Sequence, residues 1–164
     1  MVKKVVRFDI TKSLWDLWKL LESEGVKDVY IDEFRPIPET NYIKVEIVDD
    51  EAGLRVPKWV LRSDELMELL EIFVTAYRGT HTDWEEEIRK DYEMWLEHLK
   101  MIWVRHGLSP EEAEKRKAEY LKALEETIKK ETKEMIDFSK FTYSLLTLKT
   151  GKKKHKPVLK VEGS

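Results

Sequence analysis

The residues of this chain best suited to catalysis or metal binding are concentrated in one segment, Asp91 to His106, which reads DYEMWLEHLKMIWVRH. From Trp84 onward, apolar residues recur every three or four positions, a spacing that predicts an amphipathic helix. The helical neighbours of His98 at three and four positions are all apolar. The two histidines are eight residues apart, roughly 12 Å along a helix axis, too far to share one ion. We therefore expect no catalytic residue, metal centre or cofactor here.

Four polar residues border the apolar sector of this predicted helix: Glu87, Asp91, His98 and Arg105, the last three at heptad spacing. Charged residues beside an apolar seam are typical of ion pairs between packed helices, which is the interpretation we favour. The alternative is a divalent-cation site. It would need carboxylates from a second helix beside Glu87 and Asp91, and the chain offers Glu134 and Asp137.

Paired acidic helices of this sort are similar to those of the all-α nucleoside-triphosphate pyrophosphohydrolases of the MazG type. The segment Glu134-Met135-Ile136-Asp137 matches an ExxD element of that family. The resemblance implies metal-dependent hydrolysis of nucleotides. The chain departs from the family in its EExxE element, where Lys90 follows Glu86-Glu87 in place of the third acid, and in its N-terminal strands. A metal-dependent hydrolase is therefore the alternative function.

The composition predicts a globular chain from a thermophile. Its 164 residues are 38% charged and 41% hydrophobic, and they include no cysteine, no glutamine and one asparagine, Asn41. Disulfides and thiolate metal sites are excluded, and abundant Lys and Glu with few amides is typical of thermophiles. The N-terminus is too short and charged for a signal peptide, and no run approaches the ~20 apolar residues that span a bilayer. We expect a cytoplasmic protein without membrane contact.

A basic tail follows an acidic body. The last fourteen residues hold five lysines and one glutamate, a charge of +4; since the whole chain carries −3, residues 1–150 carry −7. A short lysine-rich run such as this tail, 151–164, is most often a solvated terminus. The functional interpretation is weak, salt-dependent binding of nucleic acid, for which the tail would supply most of the attraction to phosphate because the acidic body repels it. A further alternative is a strand formed by the apolar PVLKV stretch. The candidate binding residues are Lys152, Lys153, Lys154, Lys156 and Lys160.

The predicted fold is α+β: an N-terminal β-α-β-β-β sheet layer, a buried helix, and a long charged helical hairpin. Residues 1–62 are sheet-rich and 63–150 are helix-rich, and we expect one domain over 1–150. The stretch YIKVEIV alternates, with Ile43, Val45 and Ile47 on one face, and it is predicted to form a hairpin with LRVPKWVLR. That stretch is a fourth predicted strand, placed at a sheet edge by Pro57.

Serine residues are predicted to cap two helices: Ser63 begins the buried helix, which Gly79 ends, and Ser109 begins the helix after Pro110, which continues to about Leu148. Thr82 is predicted to begin the helix between them in a capping box with Glu85.

The apolar residues of the first hairpin helix exceed what one partner helix needs. They form two separate stripes, whereas the helix that follows offers few large apolar residues. This surplus predicts a homodimer, or another protein partner, and a non-enzymatic binding or regulatory module. The predicted interface residues are Trp84, Met94, Trp95, Met101 and Trp103.

Overall fold

A computed structural model of the chain describes residues 3–151. This part of the chain forms four strands and six helices, which confirms the predicted α+β class and the β-α-β-β-β order of its first half. The elements are β1 (Lys3–Asp9), α1 (Leu14–Ser23), β2 (Asp28–Ile31), β3 (Tyr42–Val48), β4 (Glu51–Arg55), α2 (Lys58–Leu61), α3 (Asp64–His81), α4 (Trp84–Arg105), α5 (Pro110–Ala123) and α6 (Glu125–Thr150).

The described residues divide into two compact units. The first, called the sheet unit below, comprises residues 3–82 and 138–151, and the second, called the hairpin unit, comprises residues 83–137. The sheet unit thus contains α3 as well as the strands, so it extends past the change in composition near residue 62. A single domain over residues 1–150 stays a prediction.

The four strands form one mixed sheet with the order β1-β3-β4-β2. Strand β3 pairs antiparallel with both β1 and β4, and β3 with β4 makes the predicted hairpin. Strand β2 lies parallel to β4 at the other edge. The hairpin turn uses Asp49 in a left-handed conformation (φ 57°), which aspartate tolerates better than most residues.

Strand β4 is shorter and more central than the sequence predicted. It ends at Arg55, and the residues expected to continue it form the short helix α2 instead. Pro57 is the N-cap of that helix, with φ −65°. Proline has no N–H for a sheet and its fixed φ suits a helix start, so the chain leaves the sheet there. The expected edge position was wrong because Pro57 lies beyond the strand.

Aromatic side chains of α1 and α3 fill the core of the sheet unit. Trp18 is fully buried, and its ring centroid lies 5.0 Å from that of Tyr77 and 5.9 Å from that of Phe73. The Tyr77 hydroxyl donates a hydrogen bond to the Val26 carbonyl oxygen (2.7 Å), and its burial raises the pKa of Tyr77. The second half of α3 is therefore the buried helix that the sequence predicted.

Gly79 does not end α3, which continues to His81. A Cβ atom at this position would lie 2.5 Å from the Ser139 Oγ and 3.3 Å from the Ser139 Cα. The glycine therefore permits α3 and the C-terminal part of α6 to approach closely. The prediction was wrong because glycine at a helix contact and glycine at a helix end look alike in sequence.

Helix α4 begins one residue later than predicted. Its N-cap is Asp83, whose carboxylate accepts a hydrogen bond from the Glu86 amide (3.2 Å). The Thr82 hydroxyl donates instead to the Arg78 carbonyl oxygen (2.7 Å), so the predicted capping box of Thr82 and Glu85 is wrong. Both Thr82 and Asp83 are good caps, and sequence alone did not decide between them.

The helix predicted from Pro110 to about Leu148 is two helices, α5 and α6. Its predicted start is confirmed, because the Ser109 hydroxyl accepts from the Glu112 amide (3.1 Å). The division falls at Leu124, whose backbone (φ −88°, ψ −2°) departs from regular α geometry. No proline or glycine marks this residue, so the sequence carried no signal for the division.

Candidate protein interface on helix α4

Helix α4 is the longest element of the hairpin unit and contains all five predicted interface residues. Its 22 residues extend for about 33 Å at 1.5 Å per residue. The acidic residues Glu85 to Glu87 occupy the first turn and Arg105 the last, an arrangement that favours the helix dipole. His106 is the C-cap, and Gly107 (φ 107°) turns the chain toward α5.

One side of α4 packs inside the hairpin unit. Leu96 is fully buried on this side. Nearer the end of the helix, the Trp103 ring meets Tyr120 of α5 edge to face, with ring centroids 5.3 Å apart. The Arg116 guanidinium lies over the Trp103 ring, 5.0 Å from its centroid. Trp103 is therefore used within the hairpin.

Ion pairs join α4 to α5 and α6 around this packed side. The strongest by geometry is bidentate: Arg89 donates to both carboxylate oxygens of Glu125, at 2.7 and 3.0 Å. These hydrogen bonds raise the pKa of Arg89 and lower the pKa of Glu125. Other side-chain links within the unit join Tyr92 to Glu131, Lys100 to Glu114, and Lys117 to Glu97.

The opposite side of α4 carries large apolar side chains that are exposed. Met94, Trp95 and Met101 keep 64%, 52% and 57% of their surface accessible. His98 lies among them and is exposed as well. Exposed apolar residues are common singly, but three within two turns of one helix form a patch of the kind that marks interaction sites.

This exposed side has the spacing of a coiled-coil seam, alternating steps of four and three residues. We call it the α4 seam: Glu87, Asp91, Met94, His98, Met101 and Arg105. Trp95 stands beside it. The four polar residues bordering the apolar sector and the two methionines thus belong to one surface, and their combined four-three spacing is the sequence signal that joins them. The structure shows that both lie on the side of α4 facing away from Leu96 and Trp103.

The two ends of the α4 seam carry opposite charges. Glu87 and Asp91 lie toward the N-terminus of the helix, and Arg105 lies at its C-terminus. Within residues 3–151, neither Asp91 nor Arg105 takes part in an ion pair. The seam thus has two methionines flanking His98 at its centre, and it is acidic at one end and basic at the other.

The five predicted interface residues have different surroundings. Met94, Trp95 and Met101 share the exposed side of α4, as the prediction requires. Trp103 is covered by Tyr120 and Arg116, which the surplus-surface argument had not anticipated. Trp84 is half-buried at the first turn.

The carboxylates of the alternative metal site do not form a metal-binding group. Across residues 3–151, no three acidic or histidine side chains are arranged so that they could hold an ion. Asp137 accepts a hydrogen bond from Lys133 on its own helix (2.9 Å). The structure therefore does not place these four carboxylates where they could bind one metal ion together: Glu87, Asp91, Glu134 and Asp137.

The predicted nucleic-acid-binding lysines, Lys152, Lys153, Lys154, Lys156 and Lys160, lie outside the described residues. Among the helices within residues 3–151, none is both long and apolar enough to span a membrane. Three comparisons with known proteins, covering protein-family models, curated proteins and solved structures, gave no match.

Proposed function

We propose that this protein is a non-catalytic binding module that pairs with a second copy of itself through the α4 seam. One observation carries the proposal: on a single helix, the exposed Met94 and Met101 lie between charges of opposite sign, Asp91 and Arg105, that form no ion pair within residues 3–151. A surface of this kind is complementary to itself when two copies meet antiparallel. Two-fold symmetry of that sort is the commonest arrangement among homo-oligomers.

The symmetry can be placed from the spacing of the charges. Asp91 and Arg105 are each seven residues from His98, about 10 Å along the helix axis in opposite directions. A two-fold axis passing near His98 would bring Asp91 of each copy opposite Arg105 of the other. The same axis would set Met94 of one copy close to Met101 of the other.

Each class of residue has a distinct part in this dimer. Burial of the methionines and Trp95 supplies the favourable free energy, because apolar surface leaves water in both copies at once. The two charge pairs set the antiparallel direction and add little affinity, since exposed ion pairs contribute about 0.2–1 kcal/mol each. We expect dimerisation in the micromolar range.

The test is a charge exchange followed by sedimentation velocity between 1 and 100 µM, set against the monomer mass of 19.6 kDa. Asp91→Arg and Arg105→Asp should each weaken the dimer roughly tenfold, because each variant creates two like-charge contacts and removes two attractive ones. The double variant Asp91→Arg/Arg105→Asp should restore the wild-type affinity.

Met101→Asp should leave a monomer at 100 µM, and Phe34→Asp is its matched control. Phe34 is also exposed and apolar, but it lies in the sheet unit, so its replacement should leave the dimer intact. A wild-type chain that stays at 19.6 kDa at 100 µM would contradict the proposal. A dimer that the exchanged pair fails to restore would refute the antiparallel arrangement.

A further inference from the structure

The sheet unit presents a row of three cations on the face of the sheet turned away from its core. Ile43, Val45 and Ile47 of β3 point into the core, so the alternate residues of β3 lie on the other face. There the strand register sets Arg7 of β1 opposite Lys44, and Lys44 opposite Arg55 of β4. Three positive side chains therefore stand in line across three strands, over about 10 Å.

Such a row works against the stability of the sheet. Side chains directly opposite on neighbouring strands have Cβ atoms only about 5 Å apart, and like charges at that distance destabilise the pairing. Arg7 has no ion pair within residues 3–151; its guanidinium lies over the Tyr42 ring, 4.7 Å from the centroid. The described part of the chain thus leaves this row only partly compensated.

One buried carboxylate stands beside the row. Glu46 is 8% exposed, and its side-chain oxygens lie 3.1 Å from Arg55, 3.1 Å from Arg35, 3.5 Å from Lys3 and 3.7 Å from Lys44. Four cations carry more positive charge than one carboxylate can neutralise. Although Asp32 also pairs with Arg35 (3.0 Å), the surroundings of Glu46 remain predominantly positive.

An exposed aromatic ring lies next to these cations. Tyr30 of β2 is 46% exposed, and its ring crosses the backbone of Gly53 on β4. A Cβ atom at Gly53 would lie 2.8 Å from the Tyr30 hydroxyl oxygen and 2.9 Å from the adjoining ring carbon. Only glycine lets the ring lie this low against the sheet, which leaves its outer side open as a flat platform.

We infer that this face of the sheet binds single-stranded nucleic acid. Arg7 and Lys44 would contact backbone phosphates, and Tyr30 would stack on one base. Arg55 is held by Glu46 and by the Arg35 carbonyl oxygen, so it adds positive potential beside them. Positive grooves combined with aromatic platforms are how proteins hold single strands without reading sequence. A base must be unstacked to lie on Tyr30, which favours a single strand over a duplex.

This site differs from the one predicted for the basic tail. The negative charge of residues 1–150 suggested that the tail must supply the attraction to phosphate, but that charge is unevenly distributed. The strand register gathers cations on one face, and Tyr30 supplies the platform that the sequence near the tail lacks. The inference does not depend on dimerisation through the α4 seam.

The experiment measures the affinity of the full chain for a fluorescein-labelled twelve-residue oligothymidylate by fluorescence anisotropy, between 50 and 200 mM salt. Arg7→Gln/Lys44→Gln should weaken binding at least about tenfold. It should also make the slope of log affinity against log salt shallower by about 1.4, two phosphate contacts at about 0.7 each. The matched control is Lys19→Gln/Lys130→Gln, which removes two exposed lysines elsewhere and should change both quantities little.

Two further variants separate binding from folding. Arg7→Gln/Lys44→Gln should melt at the wild-type temperature or above it, because it relieves like-charge repulsion. Tyr30→Leu should weaken binding about tenfold with the salt slope unchanged, whereas Tyr30→Phe keeps the ring and should bind like wild type. If Arg7→Gln/Lys44→Gln unfolds, the comparison of Tyr30→Leu with Tyr30→Phe still tests whether the sheet face binds the oligonucleotide.

The sheet face and the basic tail are two candidate sites for the oligonucleotide, and substitutions at each site distinguish them. Full-length protein with glutamine at Lys152, Lys153, Lys154, Lys156 and Lys160 should retain binding that still responds to the Tyr30 variants. The inference is overturned if the wild type does not bind at 100 µM protein and 50 mM salt. It is equally overturned if the sheet variants match their control while the tail variant alone loses binding, or if a polyglutamate peptide competes as well as the oligonucleotide.

Discussion

Replacing Glu46 with glutamine would separate the structural role of this carboxylate from any role of the surrounding cations. The substitution removes one negative charge from the sheet face and keeps the size of the side chain. Glu46 accepts hydrogen bonds from Arg35 and Arg55, both at 3.1 Å. Glutamine can still accept one of them through its amide oxygen, but it loses the charge and adds an N–H₂ group that faces cations.

The expected loss of stability is about 1–2 kcal/mol. Hydrogen bonds to charged groups contribute roughly 1.5–3 kcal/mol each, against about 0.5–1.5 for neutral ones. The Arg55 contact counts most, because both side chains are largely buried, at 20% and 8% exposure. Arg35 is more than half exposed, so its contact is screened by solvent and adds little.

The pH dependence gives the reasoning a second check. Burial would raise the pKa of Glu46, but hydrogen bonding and charge from Arg55, with the charges of Lys3 and Arg35, outweigh it and hold the pKa below its ordinary value. A carboxyl whose folded pKa is lowered stabilises the fold above its unfolded pKa, about 4.3, and loses that contribution as pH falls below it. The difference between wild type and Glu46→Gln should therefore be full at pH 7 and shrink below about pH 4.

Guanidinium unfolding of both proteins at pH 7, 5 and 3.5 would measure this difference. Arg35→Gln serves as a control, since it removes a mostly exposed partner and should cost less than the Glu46 change. In the oligothymidylate assay, Glu46→Gln should bind more tightly than wild type although it is less stable, because the cation row loses its neighbouring negative charge. Equal stability at pH 7, or a difference that is as large at pH 3.5 as at pH 7, would refute the account.

Three other changes test separate parts of the structure. Gly79→Ala should lower the free energy of unfolding by about 1–3 kcal/mol, because its Cβ would overlap Ser139, and Ser139→Gly in the same chain should recover part of the loss in guanidinium titrations. Millimolar Mg²⁺ or Mn²⁺ should leave the melting temperature unchanged relative to EDTA, and a metal-dependent rise would instead support the hydrolase alternative. Deleting residues 151–164 should leave the melting temperature nearly unchanged and weaken nucleic-acid binding; a large loss of stability would show that the tail is part of the fold.

Local sequence signals predicted most of the elements. Ser63 and Ser109 cap α3 and α5 as their positions indicated, and the alternation of β3 placed its apolar residues on the core side. These predictions succeeded because capping and alternation depend on residues only a few positions apart. The prediction failed where one residue type is compatible with two local structures. Gly79 lies at a helix contact and not at a helix end, and Pro57 begins a helix and does not lie in an edge strand.

The row of cations on the sheet face could not be predicted from the sequence, for a different reason. Arg7, Lys44 and Arg55 are far apart along the chain, and only the pairing of β3 with both of its neighbours sets them in line. A slip of one residue in either pairing would turn that strand's side chain to the opposite face. The same limit applies to Tyr30, which reaches Gly53 only because β2 pairs in parallel with β4.

The α4 seam could be predicted from the sequence only in part. Periodicity showed that α4 has two apolar stripes, but it did not say which of them the hairpin uses. The choice follows from α5, where Ala113 is the one fully buried residue of the helix and Tyr120 meets Trp103. A helix that buries so little can cover only one side of α4. Packing the side that carries Leu96 and Trp103 satisfies the hairpin, and the methionine side remains exposed. The charges at its two ends are the reason we propose a second copy of α4 as its partner.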